Sequence, residues 1–248
     1  RKRSAKARQD FETWLRGALR ARTAEQYETE GLDPATATTE IRQRVEAKVS
    51  RALQAEALVK IGYLRRLVGK AKIPAAIEQI LNFVENGEPI VVFADHLDVV
   101  RAIEAALQQA GVPYGTIAGD VSKEDRGRIK HEFQAGSISV FLGTQAAKEG
   151  IDLFRAWNTL FIERWWTPGD EEQAEDRIHR IGQKNAATIW FLHAVDTIDD
   201  HLRVLIDQKR AIGAAAVGAS QIAEQVLGQE AQQSTQLALL TQLAAGVK

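Results

Sequence analysis

The chain has no cysteine and no methionine, five prolines and five histidines, and aromatic residues make up only 6% of its 248 positions. Without cysteine there is no disulfide, no thiolate metal centre and no cysteine nucleophile, which suits a reducing compartment. Five scattered histidines leave little metal chemistry, and no metal site is expected. No apolar run approaches the ~20 residues of a membrane span, and the opening RKRSAKARQDFETW lacks the apolar core of a secretory signal. A soluble, intracellular protein without a membrane partner is the expectation. Because methionine is absent even at position 1, the chain is expected to be an internal piece of a longer polypeptide.

What is present is 45% apolar residues, enough to bury a core, and a charge balance of 32 Lys plus Arg against 33 Asp plus Glu. That balance averages two unlike segments. Residues 1–70 hold 16 basic and 9 acidic groups, and residues 71–248 hold 16 and 24. The basic segment is rich in Ala, Arg, Gln and Glu and reads as helices broken near Gly31–Pro34. In the second helix Ile41, Val45, Val49, Leu53 and Ala57 recur every four residues as one apolar stripe, with Arg42, Arg44, Lys48 and Arg51 mostly off it. Such a basic face is either the solvated side of a packed helix or a nucleic-acid contact, and the pattern alone does not separate the two.

From residue 71 short β-rich runs alternate with helical periods. Strands are expected at Ile90–Ala94, Thr116–Ala118, Ser139–Leu142, Thr159–Ile162 and Thr188–His193, each buried on both faces, with helices over Leu97–Ala110, Lys123–Gln134 and Asp170–Ile181. The alternation predicts an α/β fold, a parallel sheet sandwiched by helices, whose ligand edge lies in the loops after the strands' carboxyl ends. The expected organisation is a basic helical arm at 1–70, the α/β lobe at 71–213 and a helical, Ala/Gln-rich extension at 214–248.

The most specific string is Gln173–Gln183, Q-A-E-D-R-I-H-R-I-G-Q. Thr167 and Pro168 supply cap chemistry before it, and Asp170, Glu171 and Glu172 suit a helix N-terminus. Arg177 and Arg180 are three apart and are expected on one helix face beside Gln173. Two guanidiniums so placed can clamp the spread charge of a transferring phosphoryl group. An R-x-x-R taken alone is usually a solvated helix face. Of Trp165 and Trp166, one is expected to be a packing anchor and the other has a cleft or nucleic-acid alternative. A phosphate-cradling loop is missing: the nearest approach, Gly62 to Gly69–Lys70–Ala71, has the wrong spacing and no hydroxyl to hold Mg²⁺.

The full string resembles the last helicase motif of Swi/Snf-type ATPases, the DNA-translocase family within helicase superfamily two. Other segments match in the family's order: F-A-D-H at Phe93–His96, I-A-G-D at Ile117–Asp120 followed by E-D-R-G-R-I-K-H-E-F, T-Q-A-A-K-E-G-I-D-L at Thr144–Leu153, and E-R-W-W-T-P-G leading into the final motif. K-A-K-I-P-A-A-I-E-Q-I and T-I-D-D-H-L look most like the annealing-helicase branch.

The resemblance implies a RecA-like helicase C-terminal lobe and ATP hydrolysis coupled to movement along double-stranded DNA. By the same resemblance Arg177 and Arg180 would be arginine fingers supported by Gln173, and Gly150 and Asp152 would approach the nucleotide ribose or the interlobe cleft. Asp152 stands where the family more often has Asn. Thr144 with the amides of its loop, Lys148, His96 and Gly119 would touch DNA phosphates. ATP and Mg²⁺ would be held mainly by a separate N-terminal P-loop lobe, in the same polypeptide or a partner chain, so that this chain alone is expected to be inactive. Such a motor would work in the cytoplasm, nucleoid or nucleus. Two alternatives stay open, a lobe of a strand-separating helicase and a non-catalytic DNA- or protein-binding adaptor.

Overall fold

The computed structural model describes residue 9 and residues 12–19, 34–147, 151–179 and 183–216. They fall in two compact units divided between Lys60 and Ile61. In the first unit residues 12–19 form a helix (α1), and the long helix α2 (Pro34–Ala71) begins. The expected stripe is seen at Val45 and Val49, which are buried, while Arg44, Lys48 and Arg51 are exposed. Arg16 pairs with Glu12 at 2.7 Å and with Glu46.

The second unit begins with the last turns of α2 and is built on β1 (Ile90–Phe93), β2 (Tyr114–Ile117), β3 (Val140–Gly143), β4 (Asn158–Phe161) and β5 (Thr188–Phe191). All the pairings are parallel, in the order β2-β3-β1-β4-β5. Helices α3 (Ile73–Glu85), α4 (Leu97–Gln109), α5 (Lys123–Ala135), α6 (Pro168–Glu175) and α7 (Ile198–Ala216) complete it.

Side-chain alternation explains the sandwich. In β1, Val91 and Phe93 face a cluster with Phe133, Phe141, Phe161 and Trp165, whereas Ile90 and Val92 face Ile80, Ile103 and Leu107 from α3 and α4. The central strands β1, β3 and β4 are buried along their whole length; β1 (I-V-V-F) and β3 (V-F-L-G) are accordingly without polar side chains, while β4 (N-T-L-F) buries Asn158 and Thr159 as well. The edge strands depart from the expected double burial. β2 alternates half-buried and buried residues, and β5 alternates exposed and half-buried ones, with Trp190 42% exposed. An edge strand has a neighbour on one side only, and Trp190 compensates by donating its indole N–H to Asn158 Oδ1 at 3.1 Å.

Local chemistry sets the element ends. Ser122 caps α5 by accepting the Asp125 amide at 3.1 Å, and α5 stops at Gly136, whose φ of 88° is the left-handed conformation glycine tolerates. Thr167 caps α6, with Pro168 in its first turn. Trp165 and Trp166 are both core, which removes the functional alternative for either. Trp165 is fully buried edge-on to Phe93 and Phe161, and Trp166 packs with Ile61, Ile198, Leu202 and Leu205 under the Arg65 guanidinium.

Candidate functional site

Strands β2, β3 and β1 lie side by side, so the loops just past their carboxyl ends form a row, and this row contains Gly119, Thr144 and His96. The Thr144 amide donates to the Ile117 carbonyl at 3.1 Å, which carries the β2–β3 pairing into the loop. Its hydroxyl accepts the Ala146 amide at 3.3 Å and its carbonyl accepts that of Ala147 at 2.9 Å, winding the tight turn Gln145–Ala147. Thr144 is buried, and Gly119 is exposed with open space where a Cβ would stand.

Arg126, inside the E-D-R-G-R string but given no role by sequence, ties these loops together. Its guanidinium donates to the carbonyls of Val121 (3.1 Å), Ala146 (2.7 Å) and Ala118 (3.1 Å). One planar cation thus spans the loops after β2 and β3.

His96 is held by Glu163, at the end of β4. The Asp95 and His96 amides donate to Glu163 Oε2 at 2.8 and 3.0 Å, and His96 Nδ1 lies 2.6 Å from Glu163 Oε1. The hydrogen bond to Glu163 raises His96 above the ordinary histidine value, against its partial burial. Burial pushes Glu163 up, yet the hydrogen bonds from His96 and the Asp95 amide outweigh it and leave the carboxyl below its usual range. Gly69 in α2 makes the room: a Cβ there would stand 2.5 Å from Glu163 Oε1. Arg65, one turn earlier, pairs with Asp95 at 3.0 Å and donates to the Arg164 carbonyl at 2.6 Å.

The second group of candidates surrounds the end of α6, and here the structure corrects the expected helix. α6 stops at Glu175, short of the expected Ile181, so Arg177 lies in the turn after it. The amides of Arg177 and Ile178 bond three residues back, to Ala174 and Glu175, and the Arg177 carbonyl accepts the Leu153 amide at 2.8 Å. A carbonyl diverted to another segment cannot propagate the helix. Arg177 is buried, and its Nε donates to the carbonyl of Gln173 at 3.0 Å, while the Gln173 side chain is exposed. Asp152 is next to Leu153 in the chain. Its carboxylate lies 3.2 Å from Lys130 Nζ and its carbonyl accepts from Gln134 at 2.8 Å. The bond from Leu153 to Arg177 therefore joins the end of the T-Q-A-A-K-E-G-I-D-L string to the arginine turn. Gln183, the last residue of the other string, pins the same junction by donating to the carbonyls of Phe154, Ala156 and Ile178.

A buried ionic network supports α6. Glu171, fully buried, accepts both arms of Arg164 at 2.8 Å and the Trp165 amide at 3.0 Å, and Arg210 of α7 reaches it at 3.3 Å. Burial alone pushes the Glu171 carboxyl up, and the Arg164 fork opposes it. Arg210 also lies 2.9 Å from Glu175, and Lys72 pairs with Asp199 at 2.8 Å where α3 and α7 begin. Sequence reasoning missed Glu163, Arg164 and Glu171. The available signal was the charged pair directly before two tryptophans, a position where charge is buried only if paired.

Lys148, Gly150, Arg180 and the side chain of Arg42 lie outside the described residues. Arg44, Lys48 and Arg51 belong to the first unit. Among the described residues no group of His, Cys, Asp and Glu is arranged to hold a metal ion, and no helix is long and apolar enough to cross a membrane.

Residues 72–182 match the family described as helicase conserved C-terminal domain. The chain is 38% identical over 159 residues to the SWI/SNF-related matrix-associated actin-dependent regulator of chromatin subfamily A-like protein 1 of Xenopus tropicalis, covering 62% of this chain and 17% of that protein. It is 32% identical over 145 residues to the human DNA annealing helicase and endonuclease ZRANB3, covering 57% of this chain and 13% of that protein. It therefore spans about a sixth or less of the length of these relatives. The fold is that of the C-terminal part of the Fun30 ATPase domain, with a TM-score of 0.55 and 21% identity over 70% of this chain and 54% of that one. The parallel sheet with its flanking helices is accordingly RecA-like, residues 72–182 form a helicase C-terminal domain, and the proteins this chain is similar to include SWI/SNF-related and annealing helicases.

Proposed function

We propose that the chain is the C-terminal motor lobe of an ATP-dependent translocase on double-stranded DNA. The observation that carries this reading is the row of Gly119, Thr144 and His96 on adjoining strand ends, in the same lobe as the Q-A-E-D-R turn. A hydroxyl, an imidazole and open backbone at a glycine suit phosphate oxygens rather than base edges, which is what a motor stepping over any sequence needs. Lys148 adds charge to that grip, and the arm residues Arg42, Arg44, Lys48 and Arg51 lean on the duplex by the same electrostatics.

Arg177 and Arg180 act as fingers on the γ-phosphate, supported by Gln173, with Gly150 and Asp152 toward the nucleotide. The ion and the ATP phosphates belong in this reading to a separate P-loop lobe, since the chain has no G-x-x-x-x-G-K-[S/T] string. Finger work by Arg177 then requires its guanidinium to turn from the Gln173 carbonyl toward the phosphate as the lobes close. The relatives' printed names, a regulator of chromatin and a DNA annealing helicase, support DNA as the substrate.

The chain alone should bind duplex DNA without sequence preference, with affinity falling steeply as salt rises, and should hydrolyse ATP only when a P-loop lobe is supplied. Neutralising Arg42, Arg44, Lys48 and Arg51 should flatten the salt slope by about 0.9 for each phosphate that these side chains no longer neutralise. Absence of DNA binding, or ATP turnover by the chain alone, overturns the reading.

A further inference from the structure

One buried carboxylate, the first residue of the E-R-W-W-T-P-G segment, has been given no role of its own. Glu163 is 3% exposed, lies at the end of β4 and stands outside the phosphate-grip row, yet everything around it converges on the residue in that row that follows β1. Its two oxygens take the Asp95 amide, the His96 amide and the His96 ring, and α2 gives up a side chain at Gly69 to let it approach. A carboxylate needed only to neutralise a loop would not require three donors from two consecutive residues.

The ring of His96 is 23% exposed, so it stands at the surface of the row while its Nδ1 is committed to Glu163. Nε2 is the remaining ring donor. With Nδ1–H directed at a carboxylate, a ring that also carries a proton on Nε2 is an imidazolium, a cationic hydrogen-bond donor whose rotation is blocked from behind. The other charged groups facing it are few. Asp95 lies on the same loop and is drawn off by Arg65 of α2, and Asp98 of α4 is paired with Arg66 and Lys70 at 2.8 Å each. Asp95 favours the charged ring and Arg65 disfavours it, and the bond to Glu163 is the largest influence.

We propose that Glu163 is a positioning residue that holds His96 as a cationic hook for one backbone phosphate, so that the lobe's grip on DNA loosens when the hook loses its proton. The inference rests on the phosphate-contact reading of the β1, β2 and β3 loops. It adds to that reading a residue that never touches the nucleic acid and a pH range in which one phosphate is held or released. The sign is fixed: histidine ordinarily loses its proton near ~6.5, Glu163 moves that loss upward, and so the hook lets go at a higher pH than an ordinary histidine would.

The test uses the whole chain and a short duplex, with affinity measured across a salt series at pH values from about 6 to about 9. In the unsubstituted protein the salt slope should fall by about 0.9 as pH rises, the amount expected when a single phosphate is released. Glu163→Gln keeps the shape and an oxygen for the loop amides but removes the charge, so the same fall should occur at lower pH. His96→Gln should give the low slope at every pH. His96→Lys should restore the high slope in the Glu163→Gln background, a rescue that a purely structural Glu163 would not permit.

Carbon-detected NMR of the imidazole gives a readout independent of DNA: His96 should titrate above the ordinary histidine value, and Glu163→Gln should remove that shift. If Thr144→Ala weakens binding while the slope stays insensitive to pH in the unsubstituted protein, the hook is wrong and the grip stands. If the His96 resonance shifts as expected but neither Thr144→Ala nor His96→Gln alters affinity, the grip itself is wrong. A His96 ring that titrates identically with and without the Glu163 charge overturns the positioning role.

Discussion

The row after β2, β3 and β1 and the turn after α6 both carry candidate residues, but they are held in opposite ways. In the row, supporting groups approach from behind and from the sides. Arg126 spans two loops through three carbonyls, Glu163 backs His96, and Thr144 closes its own turn, leaving Gly119 and part of the His96 ring at the surface. In the turn, the candidate itself is drawn inward: Arg177 is buried, with Nε on the Gln173 carbonyl and its own carbonyl taken by Leu153. A surface supported from behind is ready before its ligand arrives, whereas a buried arginine has to be redirected by something outside the lobe. In the proposed motor that difference separates a preformed DNA grip from a finger that engages only when the second lobe closes.

Separate substitutions in the assembled enzyme put this difference under the most severe strain. Arg177→Ala should lower DNA-stimulated turnover by on the order of 10³–10⁵ while duplex affinity stays unchanged. Thr144→Ala should do the reverse, weakening DNA binding with turnover recovered at saturating DNA. Steady-state ATPase across a DNA titration distinguishes the two. If both variants lose affinity and turnover together, the two regions act as one site and the distinction fails.

The next effect is on folding and concerns the support of the turn. Glu171 is the fully buried carboxylate shared by Arg164 and Arg210, so Glu171→Ala leaves a buried guanidinium without its principal partner and should cost about 3–5 kcal/mol in denaturant unfolding. Arg126→Ala removes bonds from a half-exposed side chain and should cost less, about 1–3 kcal/mol. Equal costs would mean that the two regions are supported alike.

How much of this was legible beforehand follows from what each signal reports. Continuous β-rich runs gave the central strands to within a residue or so, because a strand buried on both faces has nowhere to put a charge. The same rule overreached at β5, whose T-I-W-F is as apolar as the core strands although it lies on an edge, and only the pairing order reveals that. The helix period carried Asp170–Ile181 through as one element because the residues from Asp176 to Ile181 include no Gly or Pro to mark a stop. α6 gives way where the Arg177 and Ile178 amides bond three residues back, and the Arg177 carbonyl just beyond is claimed by Leu153, a long-range bond with no local trace. Among the candidate residues, the parallel-sheet rule pointed to the strand-end loops, and Gly119, Thr144 and His96 within them came from the family resemblance. Glu163 and Glu171 came from neither, since a buried carboxylate and a solvated one look alike in sequence until their partners are in place.

The smallest expected effect lies behind the His96 loop, at the first turn of α4. Burial opposes ionisation of Asp98, but the hydrogen bonds from Lys70 and Arg66 bring its carboxyl down to about 2. A carboxylate depressed in the folded state contributes stability that is fully present above its unfolded value and is lost as pH falls through the folded one, here toward about 2. Both cations are about half exposed and the pairs sit at the surface, where water and salt screen them. Asp98→Asn should therefore cost no more than about 1 kcal/mol near neutral pH, less at high salt, and nothing in strong acid. Because Asp98 lies on the turn that follows His96 but makes no bond to it, the substitution should also leave the His96 titration where it was. A displaced His96 titration in Asp98→Asn would mean that the row is held by the diffuse charge of α2 and α4, and not by the specific bonds of Glu163.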